Sequence, residues 1–376
     1  SMKKQFFTAL GFVAFGTFFS ACQKEDKPDL VIPTSYTSES YDANVTVEKA
    51  LRSQLTSFAN YMKVGDNVAN KLVSDSLDYY FSENGATTLK SKTATYYSNL
   101  IENTWLNTLV NSSQNSYNPA DGATATNGGV FVNRLLDKGG KEIMQEVEKG
   151  MYAATLYNHI VALSQGAITQ ETIDRMICIY GAHPNFPNTN TAANTTTPDT
   201  YIALYTARRD KNDGTGLYTK IKQQFLKLQA AVKAGADYDK EKNQALSEVK
   251  LLIEKAIMAT VVNYTTGAKA DLSVAFPTDA KKVGALHALS ECVGFIHGFK
   301  AIPASQRRIT DAQIEDLLDN LLAPIGEDAT MYKFVTDSEN QLSKIDAVQN
   351  SIKSIYGFSS TEMTDFGKNW ISEQGR

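Results

Sequence analysis

The chain contains only four histidines, His159, His183, His287 and His297, so each can be weighed as a place where chemistry could occur. His287 and Glu291 stand four residues apart in residues 279 to 300. There the apolar positions Val283, Leu286, Leu289, Val293 and Ile296 predict a helix. Four residues make about one helical turn, so both side chains share a face. Together with Ser290, Gly294 and His297 they fall on one flank of the apolar stripe. Such a pair can orient an imidazole inside a core, or contribute to a ligand site between helices. A hydrolytic metal centre is a third option, but catalytic zinc usually takes three protein ligands. The candidate ligand or metal residues are therefore His287, Glu291 and His297, and no catalytic residue is assigned. His159 reads as a partly buried helix residue and His183, before Pro184, as an exposed helix end.

Other chemistry-bearing patterns are missing. There is no Gly-x-Ser-x-Gly nucleophile elbow, no His-Glu-x-x-His and no phosphate loop. Glu146 and Glu148 read as surface acids, and Trp105 and Trp370 as core aromatics. Cys178 and Cys292 lie in apolar helical contexts and read as buried free thiols, a disulfide between them being the alternative. No Cys-x-x-Cys exists to suggest a zinc ribbon or haem attachment.

The elements that must position these residues are helical almost throughout. Leu217, Ile221, Phe225, Leu228 and Val232 recur at steps of three and four, as do Leu246, Val249, Ile253, Ala256, Ile257 and Val261. Leu342, Ile345, Val348, Ile352 and Ile355 repeat the pattern near the end. Thr310-x-x-Gln313 and Thr336-x-x-Glu339 read as capping boxes, and Gly235 and Gly357 as helix stops. No run alternates with period two beside turn signals. The expected class is all-α, in two bundle-like halves, residues 34–182 and 200–376, joined by a Pro- and Asn-rich loop at 183–199. Residues 111–128 and 265–278 also break the helical pattern. The net charge of −4, with no basic stripe, argues against nucleic acid as a partner.

The N-terminus carries an address. Ser1 precedes Met2 and reads as a remnant of cloning. Lys3 and Lys4 lead into residues 6–19, which are mostly apolar, uncharged and too short to span a bilayer comfortably. Ser20-Ala21-Cys22 then resembles the lipobox of bacterial lipoproteins. The resemblance implies a signal peptide over residues 1–21, lipidation of Cys22 and a tether over residues 22–33. Lys24-Glu25-Asp26 resembles the short signal that carries some Gram-negative lipoproteins to the cell surface; the periplasmic face of the outer membrane is the alternative. An ordinary cleaved signal peptide with an incidental Cys22 is the competing reading of the whole segment.

Gly284-Ala285-Leu286-His287-Ala288-Leu289-Ser290-Glu291 brings a further resemblance. Ile32-Pro33-Thr34-Ser35-Tyr36, Leu89-Lys90-Ser91-Lys92-Thr93, Val147-Glu148-Lys149-Gly150-Met151, Tyr180-Gly181 and Asn263-Tyr264 extend it. Together these resemble an uncharacterised family of Gram-negative lipoproteins related to the imelysin-like proteins. The resemblance implies an all-helical fold of two halves and an association with iron or haem. The His287–Glu291 spacing is longer than the Gly-x-His-x-x-Glu of imelysin-like proteins. The expected function is a non-enzymatic cell-surface binding module for iron, haem or another nutrient. The alternatives are an adaptor docking on an outer-membrane transporter and, behind that, a divergent metallopeptidase.

The address is testable directly. In a Gram-negative host the chain should take up labelled palmitate and partition with membranes, and Cys22→Ala should lose both.

Overall fold

The computed structural model describes residues 27–376; the segment expected to be a signal peptide, Cys22 and Lys24-Glu25-Asp26 lie outside the described residues. The fold is predominantly all-α. Helix α1 (Thr46–Lys63) buries Leu51, Leu55, Phe58 and Met62, a stripe spaced as one helical face requires. A small antiparallel hairpin follows, β1 (Gly129–Phe131) with β2 (Arg134–Leu136). Helix α2 (Ile143–Met151) continues through a π-type turn at Tyr152–Tyr157 into the helical segment Asn158–Ser164. Helix α3 (Gln170–Tyr180) starts on a Thr169–Thr172 capping box and stops at Gly181.

The second part of the chain is built on longer helices. These are α4 (Tyr201–Arg209), α5 (Leu217–Ala234), α6 (Asp239–Leu272), α7 (Asp279–His297) and α8 (Ser338–Tyr356). Helix α6 packs along α5, α7, α4 and α8, and α7 in turn packs along α2. One apolar core runs continuously from α1 through α2 and α7 to α8. The 183–199 loop is pinned to this core. Phe186 is buried against Tyr36, Tyr218 and Phe225, and the buried Asp199 accepts from the Tyr218 hydroxyl at 2.7 Å. Residues 27 and 28 are held too: the Lys27 ammonium lies 2.8 Å from Glu241, and Tyr238 donates to the Pro28 carbonyl at 2.7 Å.

Several sequence expectations hold. The Thr310–Gln313 capping box forms, Gly235 and Gly357 end α5 and α8 with positive φ, and Cys178 and Cys292 are buried free thiols. Three need correction. The break expected over 265–278 begins only after Leu272, because α6 runs through Gly267. Buried Thr265, Ala268 and Leu272, and the Gln349 amide bonding to Thr265, outweigh the weak helix propensity of one glycine. Thr336 does not cap α8: it closes the short helix Lys333–Thr336, and Asp337 stands at the start of α8. Glu146 and Glu148 are not surface acids but are buried.

Their burial follows from how closely α2 and α7 approach. Gly294, on α7, and Gly298, in the 3-10 turn that continues it, stand one turn apart, facing α2. A Cβ at Gly298 would lie 2.2 Å from the Gly150 carbonyl oxygen, and one at Gly294 would lie 2.6 Å from that of Gln145. Backbone cannot yield as a flexible side chain can, so any larger residue must push the helices apart. Gly294→Ala and Gly298→Ala should each destabilise the protein by about 1–3 kcal/mol in denaturant unfolding. A loss below about 0.5 kcal/mol would show that the helices part freely.

Candidate functional site

His287, Glu291 and His297 all lie on the face of α7 that meets α2 and the chain just before it. The sequence placed them on one flank; the structure adds their partners. His287 Nδ1 is 2.6 Å from Glu142 Oε2, and Nε2 is 2.7 Å from Glu291 Oε1. One imidazole therefore bridges two carboxylates, one from its own helix and one from the start of α2. The backbone N–H of Glu142 donates to Ser290 Oγ at 2.9 Å, which fixes the acid against α7.

The chain of charge extends both ways. Arg134 of β2 lies 3.7 Å from Glu142 and 3.9 Å from Asp66. Lys149 of α2 lies 3.8 Å from Glu291 and 3.1 Å from Glu148. Asp66, Arg134, Glu142, His287, Glu291, Lys149 and Glu148 thus alternate in sign along the seam. Burial alone would push the His287 imidazole down, but its hydrogen bonds to Glu142 and Glu291 raise it to about 9. Burial opposes the Glu291 carboxylate, while Lys149 and His287 hold it below its ordinary range. Lys149 stays charged because Glu148 and the surrounding Tyr205 and Tyr152 outweigh its desolvation. At the far end, burial and the Glu142 charge push Asp66 up to about 6.

His297 belongs to a second cluster, three turns along. Its Nδ1 faces Glu146 Oε1 at 2.8 Å and its Nε2 faces the Tyr96 hydroxyl at 2.8 Å. Rings of Tyr96, Tyr97 and Trp105 surround it edge-on. Lys141 Nζ lies 2.5 Å from Glu146 Oε2. Burial works against the Glu146 carboxylate, yet Lys141 and His297 bring it down to about 2. The three residues singled out from the sequence are therefore divided between two adjoining clusters.

This arrangement bears on metal and haem. Each imidazole already engages a partner at both ring nitrogens, and a ligand to iron needs one free lone pair. Among the described residues no group of three or more His, Cys, Asp or Glu side chains is arranged to hold a metal ion. The set as it stands does not fit an iron or haem ligand sphere. His159 is engaged at one nitrogen, its Nδ1 being buried with no partner among the described residues, and Asp174 is engaged at both oxygens. His159 Nε2 lies 2.7 Å from buried Glu48, which Arg175 also approaches at 3.1 Å. Asp174 accepts from Tyr36, Ser38, Asn44 and Gln170.

The second cluster borders a cavity of about 280 Å³. Its wall includes Trp105, Thr108, Asn111, Asn127, Asp137 and Lys141, with Glu327 and Asp328 at another side. Asp137 is held by the backbone N–H groups of Gly139 and Lys141, each at 2.9 Å, and burial raises its carboxyl above the ordinary range. The lining is chiefly hydrogen-bonding, with one indole edge.

Sequence reasoning missed Glu142, Glu146, Lys141, Lys149 and Arg134. Two signals pointed to them. Glu142, Glu146 and Lys149 repeat at four and three residues, so they share a helical face. Gly294-x-x-x-Gly298 marks a helix face that another backbone can approach closely.

Residues 179–359, just under half of the chain, match a family described as Domain of unknown function (DUF4856). The matched span carries α4 to α8, and so His287, Glu291 and His297, but not α2 with its acids. No curated protein and no solved structure matches the chain.

The bridging imidazole makes a signed prediction. His287 is raised in the folded state, so its stabilisation is fully present below its unfolded value near 6.5 and is lost as pH rises through about 9. His287→Gln should cost roughly 3 kcal/mol at pH 6. The gap from wild type should narrow by up to about 3 kcal/mol by pH 10 in denaturant titrations. A gap independent of pH would mean that His287 is not held as a cation.

Proposed function

We propose that this protein is a lipid-anchored binding module on the outer membrane of a Gram-negative cell, facing outward, and that its ligand is a small polar nutrient. The observation that carries the reading is the polar cavity beside Lys141 and Asp137. A cavity of this size suits a solute of a few heavy-atom groups, since drug-sized ligands occupy about 300–1,000 Å³. Its wall offers amide, hydroxyl, carboxylate and ammonium groups around one indole. Such groups recognise hydroxyl-rich or zwitterionic solutes better than a large apolar macrocycle.

The ion clusters support a binding role over a catalytic one. A general base must be within reach of a substrate proton, and a metal-assisted hydrolase needs an open coordination position. His287 and His297 are committed at both nitrogens. His297, through Glu146 and Lys141, braces the cavity wall instead of acting on what enters. The relation to imelysin-like proteins is kept in this reading as a relation of architecture, with iron and haem as the ligands to be tested against it.

An adaptor role is the second reading, and one feature favours it. Val64, Val68 and Val132 are exposed on segments that the Asp66 carboxylate joins by accepting from the Leu135 N–H at 3.0 Å. Apolar side chains gathered at one end of a folded chain suit a protein partner.

Calorimetry and thermal shift with monosaccharides, oligosaccharides, free amino acids, ferric citrate and haem would test the reading. Saturable binding of a hydroxyl- or amino-bearing solute is expected. Asn127→Leu, which puts an apolar side chain on the cavity wall, should weaken it at least tenfold with the melting temperature unchanged. No response to any polar solute, or haem binding that His287→Gln abolishes, would overturn it.

A further inference from the structure

Every buried cation in the two clusters has an opposite charge beside it, and Arg307 bonds to two carbonyls and Asp311. Arg209, at the end of α4, is different. It is 3 % exposed, and its Nε and Nη1 are buried with no hydrogen-bond partner among the described residues. The groups that act on it electrostatically are Tyr264, Arg208 and Tyr205, of which none is a carboxylate. Burial pushes its guanidinium down to about 10, still charged at neutral pH. An uncompensated buried charge is among the most destabilising features a fold can carry, and such charges are normally paired.

The surroundings suit an anion. Arg208, the next residue back, is half-buried, with its guanidinium 4.8 Å from the Tyr205 ring centre. The Tyr205 and Tyr264 rings stand 6.2 Å apart, edge to face, beside it. The Arg208 guanidinium and the phenols of Tyr205 and Tyr264 thus lie within electrostatic reach of Arg209, where α4 packs on α6. Guanidinium presents planar N–H donors that match the oxygens of phosphate and carboxylate.

We propose that Arg209, with Arg208, binds the oxyanion group of a small ligand, a phosphate or a carboxylate, at the seam of α4 and α6. None of these residues lines the polar cavity, so the site is separate from the one proposed above. Arg209 supplies the buried charge that is neutralised on binding, and Arg208 supplies the second cation at the solvent edge. An apolar side chain would pack α4 at lower cost, so the charge is understandable only if something pairs with it.

The test uses the full chain, with inorganic phosphate and succinate titrated separately at ionic strength held constant with chloride. Saturable heat and a rise in melting temperature are expected with at least one, and the tighter of the two identifies the anion class. Arg209→Met should lower that affinity at least tenfold, yet melt no lower than wild type in anion-free buffer. Arg208→Gln, at a half-buried position, should weaken binding several-fold without loss of stability, and gives a readout should the Met variant fail to fold. No saturable binding of either anion by wild type, or equal affinity in wild type and both variants, would overturn the proposal.

Discussion

The contact on which most of this structure depends is the close crossing of α2 and α7. Gly294 and Gly298 bring the two backbones together so tightly that the side chains beside them are shut away from water. Those side chains include Glu142, Glu146, Lys149, Glu291 and His297, with His287 half-buried among them. Burying ions costs several kcal/mol each unless each finds an opposite charge. The alternation of sign along the seam is the solution the chain has adopted. The crossing and the charges are thus one feature: the glycines create the burial, and the burial makes pairing compulsory.

Such a seam also selects its own register. If α7 slid by one turn, His287 would keep Glu291, its partner on the same helix, but would leave Glu142, and Lys149 would lose Glu291. An apolar seam would tolerate that error at small cost, whereas a charged one does not. Specific pairing of this kind suits a protein in which early and late segments must meet across a long stretch of chain. It also gives the cavity beside Lys141 a stiff wall.

The helical class and many of the helix ends were readable from the sequence because apolar period, capping residues and terminal glycines act locally. The Thr310–Gln313 box and the stops at Gly235 and Gly357 needed only neighbours a few residues away. The continuation of α6 through Gly267 was not readable, since it depends on Gln349 and a buried face supplied by distant segments. The site was half legible. One side, His287 with Glu291, shows as a pair on one helix. Its other side, Glu142, lies 145 residues upstream in a stretch whose charges look solvated until α7 covers them. Charge on a helical face carries no mark of whether water or another helix will meet it. The Gly294-x-x-x-Gly298 spacing was the one local hint that a second backbone would come close.

Lys27 and Pro28 are fastened to the turn between α5 and α6, at Asp237, Tyr238 and Glu241. On the proposed anchor this leaves five peptide units between the lipid-bearing Cys22 and a fixed point on the body, a reach of at most about 18 Å. A longer loose leader would let the protein tumble above the bilayer and meet solutes from any direction. On that anchor a leash this short would keep the α5–α6 turn near the membrane. Which openings face outward would then be a matter of posture, set by a single lysine and a tyrosine that do not line the polar cavity.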